Sequence, residues 1–452
     1  MINSDITLWE HQSDTVNRAL DTLKDRGYYY ILAGCGTGKT LMSLAIVDGL
    51  SASRVLIVST KASLHTTWAR EISDKTDDTC LVLDRGTKKN QQALKTDDSR
   101  YHIINYEAVW RLKKLPQYDV IISDETHRLS GHTSKQSRAM AKLARTIPYR
   151  IGMTGTGFED RLTQLYGQFR FLTPGKYLRC NLFGTWSDFF EQYAEYYIHD
   201  GIKIPTGSKN KEQLMSKIAP YTTILSSEDV LDLPDVINIT RSLPLSKKVK
   251  RAYTEMKETY ITEIASGVIT ADNVLVHGLR LQQIANGFVT DALTGSVTVL
   301  DDKTPKIIET LAILEEIDGA PCVIFTQFRH DVTLLKHALD SNGYTYNLLT
   351  GDCKEHGLWQ AGQGGQVLIA NFSAGSESVD LTRARYGIDY TGTYSNTQYE
   401  QSRWRMRRPG ADSSLPITYY RLIIEDTIDE TIWDTIDNKS DTASAFMHML
   451  AL

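Results

Sequence analysis

Ala33-Gly34-Cys35-Gly36-Thr37-Gly38-Lys39-Thr40 decides the reading of this 452-residue chain. The apolar run Tyr28 to Leu32 precedes it and the helical pattern Leu41 to Leu50 follows, so the stretch reads as strand, loop and helix. Glycines let a loop turn its backbone N–H groups toward one anion, a lysine adds a point charge for the outer phosphates, and a threonine hydroxyl suits Mg²⁺. Gly36, Thr37, Gly38, Lys39 and Thr40 are therefore candidate ligands of a nucleoside triphosphate and its metal. The strict phosphate-loop pattern has glycine where this chain has Ala33.

Upstream, Leu8-Trp9-Glu10-His11-Gln12 opens an amphipathic helix, and the Gln12 amide, both donor and acceptor, suits an adenine edge. Downstream, Arg54 to Thr60 and Tyr101 to Tyr106 read as strands, and Tyr118 to Ser123 runs into Asp124-Glu125-Thr126-His127. Strands alternating with helices imply a parallel sheet whose ligands sit at the carboxyl ends of its strands. There Asp124 is placed to hold Mg²⁺ and Glu125 to orient and polarise an attacking water. A solvated acidic turn is the alternative use of such a pair.

Composition sets the frame. Hydrophobic content of 41% and charged content of 23% suit a globular chain whose length calls for two or three domains. Lys plus Arg is 50 and Asp plus Glu 55, so contact with a polyanion must come from local basic patches. No stretch approaches the ~18 consecutive apolar residues of a membrane span, and the start lacks a targeting pattern, so the expected location is the cytosol. Five cysteines, widely spaced and never in a Cys-x-x-Cys pair, suggest buried thiols rather than disulfides or zinc.

Taken together, Gln12, the phosphate loop, Ser59 to Trp68, Asn105-Tyr106-Glu107, Asp124 to Arg128 and Thr154-Gly155-Thr156 resemble motifs Q, I, Ia, Ib, II and III of superfamily 2 helicases, a group that includes the DEAD/H-box proteins. The Swi/Snf-like branch is the nearest match, through Ser134-Lys135-Gln136-Ser137, Phe171 to Pro174, Asp229 to Pro234 and Leu279 to Asn286. In the second half, Cys322 to Phe328 resembles motif IV, Ser373 to Leu381 motif V and Gln401 to Arg408 motif VI. Gly157 and Ser378 stand where the family usually has a proline and a glycine.

The resemblance implies an α/β fold of two RecA-like parallel-sheet lobes with a helical insertion between motifs III and IV. The boundaries expected are 1–157 for the first lobe, 158–300 for insertion and linker, and 301–452 for the second lobe. ATP and Mg²⁺ would bind in the cleft between the lobes. Lys39, Thr40, Asp124 and Glu125 would act there with Gln12, Gly375, Asp380 and the motif VI arginines Arg405 and Arg408. His127, Thr154 and Gln401 would couple nucleotide to track, and Thr60, Lys61, Asn105, Tyr106, Thr156, Gln327 and Arg403 would touch DNA.

The function implied is an ATP-dependent DNA helicase or translocase, a nucleic-acid-stimulated ATPase acting on duplex or branched DNA in replication, recombination or repair without reading sequence. Fork reversal and branch migration are the expected outcomes. An RNA helicase, a translocation subunit of a restriction-type complex and a non-enzymatic DNA-binding scaffold are the alternatives. The motifs fill the chain from Leu8 to about Gly410, suggesting a monomeric motor of small viral or prokaryotic type, in the cytosol of a prokaryote or infected host cell. Residues Phe158 to Tyr197, rich in aromatics, read either as core-packing helices or as a wedge at a DNA junction, with Trp186 and Phe190 the candidates for the wedge.

Overall fold

The computed structural model describes residues 1–155, 162–199, 202–265, 271–291, 294–375, 379–409 and 411–438. Two compact units, Met1–Leu231 and Asp232–Leu452, make up the chain. No helix among the described residues is long and apolar enough to cross a membrane.

The first unit contains β1 (Tyr28–Ala33), β2 (Val55–Ser59), β3 (Cys80–Leu83), β4 (Tyr101–Asn105), β5 (Val120–Asp124), β6 (Tyr149–Thr154), the hairpin strands β7 (Ala194–His199) and β8 (Ile202–Ser208), and β9 (Thr222–Leu225). Seven of these form a parallel sheet in the order β3-β4-β2-β5-β6-β1-β9. Alternate residues of a strand feed opposite faces, so Tyr29 and Ile31 join one buried cluster while Tyr30 and Leu32 join another. Helices cover both faces, which is why β2 and β5 are buried along their whole length and read as unbroken apolar runs.

The second unit repeats this plan with β10 (Val236–Leu243), the short hairpin β11 (Phe288–Thr290) and β12 (Val297–Val299), β13 (Cys322–Thr326), β14 (Tyr346–Leu349), β15 (Val367–Asn371), β16 (Tyr386–Asp389) and β17 (Ile417–Ile424). Its parallel sheet runs β10-β17-β16-β13-β15-β14. Val323 and Phe325 face one core, Cys322 and Ile324 the other. The two RecA-like α/β sheets expected from the sequence are present.

The segment 158–300 does not collect around a core of its own among the described residues. β9 pairs with β1 in the register Tyr30↔Thr222 to Ala33↔Leu225, while β10 pairs with β17. The reason is edge satisfaction: each strand completes the hydrogen bonds of a neighbouring sheet, so the segment divides near Leu231. Much of its aromatic stripe is core, with Tyr177 and Tyr197 exposed. All residues of the helix Leu165–Leu172 are buried, and Phe169, Phe183, Phe189 and Tyr193 pack in the same cluster as Tyr30 of the first sheet and Leu129 of the turn after β5.

Candidate functional site

β1 ends at Ala33 and the chain turns through five residues into the helix Lys39–Gly49. Ala33 is the last paired residue of the strand, opposite Leu225, where extended backbone makes no demand for glycine. Gly38 differs: its φ of 86° is left-handed, and a Cβ there would lie 2.2 Å from Gln12 Nε2. At Gly34 a Cβ would lie 2.0 Å from Ser227 Oγ, which donates to Cys35 O at 2.7 Å. Thr37 is fully buried and its hydroxyl donates to Gly34 O at 2.9 Å. Lys39 folds back on the loop, its Nζ donating to Ala33 O at 2.8 Å and Gly34 O at 2.9 Å. Thr40 stands half-buried on the first turn.

β5 delivers the carboxylates. Asp124 is its last residue, and Oδ2 accepts from Ser59 Oγ at 2.7 Å and from Trp68 Nε1 at 2.9 Å. Burial first, then the adjacent Glu125 charge, raises the Asp124 pKa above the ordinary carboxylate value. Glu125 has φ 51° and ψ 52°, a left-handed conformation that costs a side-chain-bearing residue about 1–3 kcal/mol. Its Oε2 accepts from Thr154 Oγ1 at 3.1 Å and lies 3.1 Å from His127 Nδ1, which is also 2.9 Å from Thr154 Oγ1. Burial works to raise the Glu125 pKa, but the bond and charge of His127, the Lys39 ammonium and the Thr154 hydroxyl outweigh it and bring the group down to about 2. Glu125 is therefore ionised at neutral pH. Thr126 anchors the turn, donating from Oγ1 to Ser123 O at 2.7 Å and accepting from Met153 N at 2.9 Å.

Gln12 borders the loop, but both ends of its amide are engaged: Nε2 donates to Thr37 O at 3.0 Å and Oε1 accepts from Trp9 N at 3.1 Å. In this arrangement it positions the loop. For Mg²⁺, the available donors are one Asp124 carboxylate and the Thr40 hydroxyl, hard oxygens of the kind the ion takes alongside substrate phosphates. These residues fit the metal.

The residues expected on a DNA track fare unevenly. Lys61 is exposed, and Thr60 shares a hydrogen bond with Ser63 Oγ at 2.7 Å. Asn105 caps the helix Tyr106–Val109 by accepting from Ala108 N at 2.8 Å. Tyr106 is fully buried with its hydroxyl 2.7 Å from Ser123 Oγ, so the expectation of a DNA contact is corrected: its ring supports the acidic strand end. Arg403 is half-buried and engaged with protein partners. Its guanidinium lies 3.6 Å over the Tyr419 ring and bonds to Asn238 Oδ1 and the Tyr399 hydroxyl. Burial lowers its pKa, but the charge of buried Asp389 overrides that and raises it. Gln327 is half-buried, with its backbone carbonyl accepting from Asn371 Nδ2 at 3.0 Å. Thr156 and Phe158 lie outside the described residues.

In the second unit Gly375 closes the helix Phe372–Gly375, and Asp380 accepts from Thr382 N at 3.0 Å and Thr382 Oγ1 at 2.8 Å. Gln401, Arg405 and Arg408 are half-buried in and just after the helix Asn396–Arg403. The wedge expectation is corrected too: Phe190 is 9% exposed, and Trp186 stacks on His132 at 4.0 Å and packs against Tyr166 at 5.3 Å. Ser227 and Trp68 are site supports that no reading of the loop or acid motif could assign, since each reaches its partner from far along the chain.

A lysine-bearing glycine loop at the end of one strand, with an ionised glutamate and a metal-competent aspartate at the end of another, defines a P-loop nucleotide-binding protein. Within that class the chain belongs to the SNF2-related family: the SNF2-related domain profile matches residues 11–288, and the helicase conserved C-terminal domain follows at residues 302–410. Among similar curated proteins, a candidate ATP-dependent helicase/translocase of Bacillus subtilis, YwqA, is 24% identical over 92% of this chain and 46% of its own length. The human SWI/SNF-related matrix-associated actin-dependent regulator of chromatin subfamily A member 1 is 24% identical over 93% of this chain and 42% of its own. Human DNA annealing helicase and endonuclease ZRANB3 is 19% identical over 94% and 39%. The chain thus spans less than half the length of these relatives. A solved Sulfolobus solfataricus SWI2/SNF2 ATPase core in complex with dsDNA is 20% identical with a TM-score of 0.47, covering 100% of this chain and 94% of that one.

Proposed function

We propose that this chain is an ATP-dependent DNA translocase, hydrolysing ATP when stimulated by nucleic acid. The observation that carries the reading is Glu125: a residue held in left-handed backbone, ionised by His127, Thr154 and Lys39, at the mouth of a phosphate loop. Lys39 releases its two carbonyl partners to take the outer phosphates, and the loop N–H groups take the rest. Asp124 and Thr40 would hold Mg²⁺, which when bound neutralises phosphate charge. Glu125 orients water and accepts its proton at Oε2, while His127 and Thr154 hold that carboxylate in place. The motif VI resemblance makes Arg405 and Arg408 the candidate cations for the γ-phosphate and Gln401 the candidate coupling residue.

The finer reading is remodelling of branched DNA by fork reversal or branch migration. Its support is similarity to a protein named a DNA annealing helicase, at 19% identity. Phosphate contacts would make such walking indifferent to sequence and steeply salt-dependent. The deciding experiment measures ATP hydrolysis with single-stranded DNA, blunt duplex, forked DNA, a mobile four-way junction and RNA. Stimulation by duplex and branched DNA with ATP-dependent strand exchange on the junction is the expected result. Stimulation by RNA alone would make the protein an RNA helicase, and none by any polymer would remove the motor reading.

A further inference from the structure

The first unit carries a second basic feature at the opposite end of its sheet from the phosphate loop. Arg138, Lys142 and Arg145 recur at i, i+4 and i+7 on and just after the helix Lys135–Ala144, all exposed, while Ser137, Met140, Ala141 and Ala144 face the core. With Ala139, Lys176 and Tyr177 they line an open cleft of about 630 Å³ that contains no acidic residue. Among the described residues none of the four cations has a carboxylate partner. In a chain with 55 acidic and 50 basic residues, an acid-free cluster of this kind departs from the interleaved charge of a solvated helix face. β6 runs from Tyr149, four residues after the cleft-lining Arg145, to Thr154 in the nucleotide site, a span of about 17 Å of strand.

Tyr177 is the second observation. It is 92% exposed and holds φ 54°, ψ 35°, a left-handed conformation that a tyrosine adopts only when its surroundings impose it. The loop around it is fixed rather than frayed: Gly175 N donates to Arg179 O at 2.8 Å, Asn181 N to Thr173 O at 2.8 Å and Cys180 N to Gly184 O at 3.0 Å. The fold thus presents a bare aromatic face next to four unpaired cations, at a backbone cost, and away from the hydrolytic residues.

We infer that this cleft binds a single-stranded nucleic-acid segment, its phosphates on Arg138, Lys142, Arg145 and Lys176 and one base stacked on Tyr177. A cationic groove with an aromatic platform is the combination that holds unpaired strands without reading sequence. Paired duplex hides its base faces and an acidic polypeptide has none to offer, so neither would use Tyr177. The site is independent of the ATPase reading, because it is tested without nucleotide.

The test measures fluorescence anisotropy of the full chain with a fluorescein-labelled oligothymidylate and with blunt duplex of equal length, across a salt series. Tyr177→Ala is expected to weaken oligothymidylate binding roughly tenfold and duplex binding hardly at all, with Tyr177→Phe behaving as wild type. Arg138→Glu/Lys142→Glu/Arg145→Glu is expected to flatten the salt dependence for the single strand by about two units of slope. Tyr177→Gly separates binding from folding, because it removes the backbone strain: it should raise Tm while binding as weakly as Tyr177→Ala. Equal losses for single strand and duplex, no loss in Tyr177→Ala and Tyr177→Gly, or displacement of the oligonucleotide by polyglutamate that depends on Tyr177 would each overturn the proposal.

Discussion

Each unit buries a pair of carboxylates close to a lysine, and the two handle that charge in opposite ways. In the second unit Lys306 is fully buried, 2.6 Å from Asp429 Oδ2, and donates to Asn286 Oδ1 at 3.0 Å. Asn286 Nδ2 donates to Asp331 Oδ1 at 3.1 Å, and Thr391 Oγ1 to Asp331 Oδ2 at 2.7 Å. That network ties together the starts of three helices and the end of β16, with Asp429 held through Oδ2 alone. In the first unit Lys39 is bonded to backbone carbonyls, Asp124 is held through one oxygen, and Glu125 stands on strained backbone. A buried lysine paired directly with a buried carboxylate fixes a fold, whereas a lysine held only by exchangeable carbonyl bonds is poised for a ligand.

The largest effect expected from this contrast is on chemistry in the first unit. Lys39→Ala and Glu125→Gln should each lower ATP hydrolysis by roughly 10³-fold or more, because phosphate charge and water orientation are what phosphoryl transfer takes from the protein. Folding should be little affected, and Glu125→Gln should still bind nucleotide. Turnover near wild type in Lys39→Ala, measured beside an unchanged thermal midpoint, would break the comparison.

The second unit should answer in stability instead. Lys306→Met leaves Asp429 buried without its cation and should cost about 3–5 kcal/mol of unfolding free energy in denaturant titrations. A loss under 1 kcal/mol would mean that the Lys306–Asp429 pair does not hold the fold as described.

A subtler difference lies in pH. Burial raises the Asp331 carboxyl to about 6, against the bonds from Thr391, Phe328 and Asn286 and the Lys306 charge that lower it. Its unfolded value is about 3.9, so between these limits the native state binds the extra proton. Its contribution to stability is therefore present below about pH 4 and lost as pH rises through about 6, by roughly 3 kcal/mol. Asp331→Asn should remove that slope, read as the difference in denaturant midpoint between variant and wild type from pH 4 to pH 7. Parallel curves would place the titration elsewhere.

What the sequence disclosed follows from how local each feature is. The phosphate loop and Asp124-Glu125 were legible because strand, turn chemistry and charge lie within a few consecutive residues. Ser227, which packs on Gly34 from 192 residues beyond Cys35, was not, since only the pairing of β9 with β1 brings it there. The same pairing divides the middle segment, and no periodicity announces it. Tyr106 and Arg403 show a different limit. Both stand in motifs associated with the track, but a motif fixes position in the chain and not the direction of a side chain, and here one ring is buried and one half-buried guanidinium stacks on Tyr419. The aromatic run to Tyr197 likewise had two readings of equal periodicity, which only burial of Phe189, Phe190 and Tyr193 could separate.

The smallest expected effect discriminates most sharply between a cation spent inside the fold and one offered to a polymer. Arg403→Lys keeps the positive charge, so a phosphate contact would survive it with little loss of DNA affinity and no loss of stability. An internal role would not survive, because the planar guanidinium stacks on Tyr419 at 3.6 Å and forks between Asn238 and Tyr399, which a lysine cannot reproduce. The expected result is a stability loss of about 1 kcal/mol, with duplex affinity and its salt slope unchanged. Lys61→Ala, at an exposed position, should do the reverse, lowering the salt slope by about one unit without moving the denaturant midpoint. If Arg403→Lys instead flattens the salt dependence at constant stability, Arg403 faces the track and the internal assignment fails.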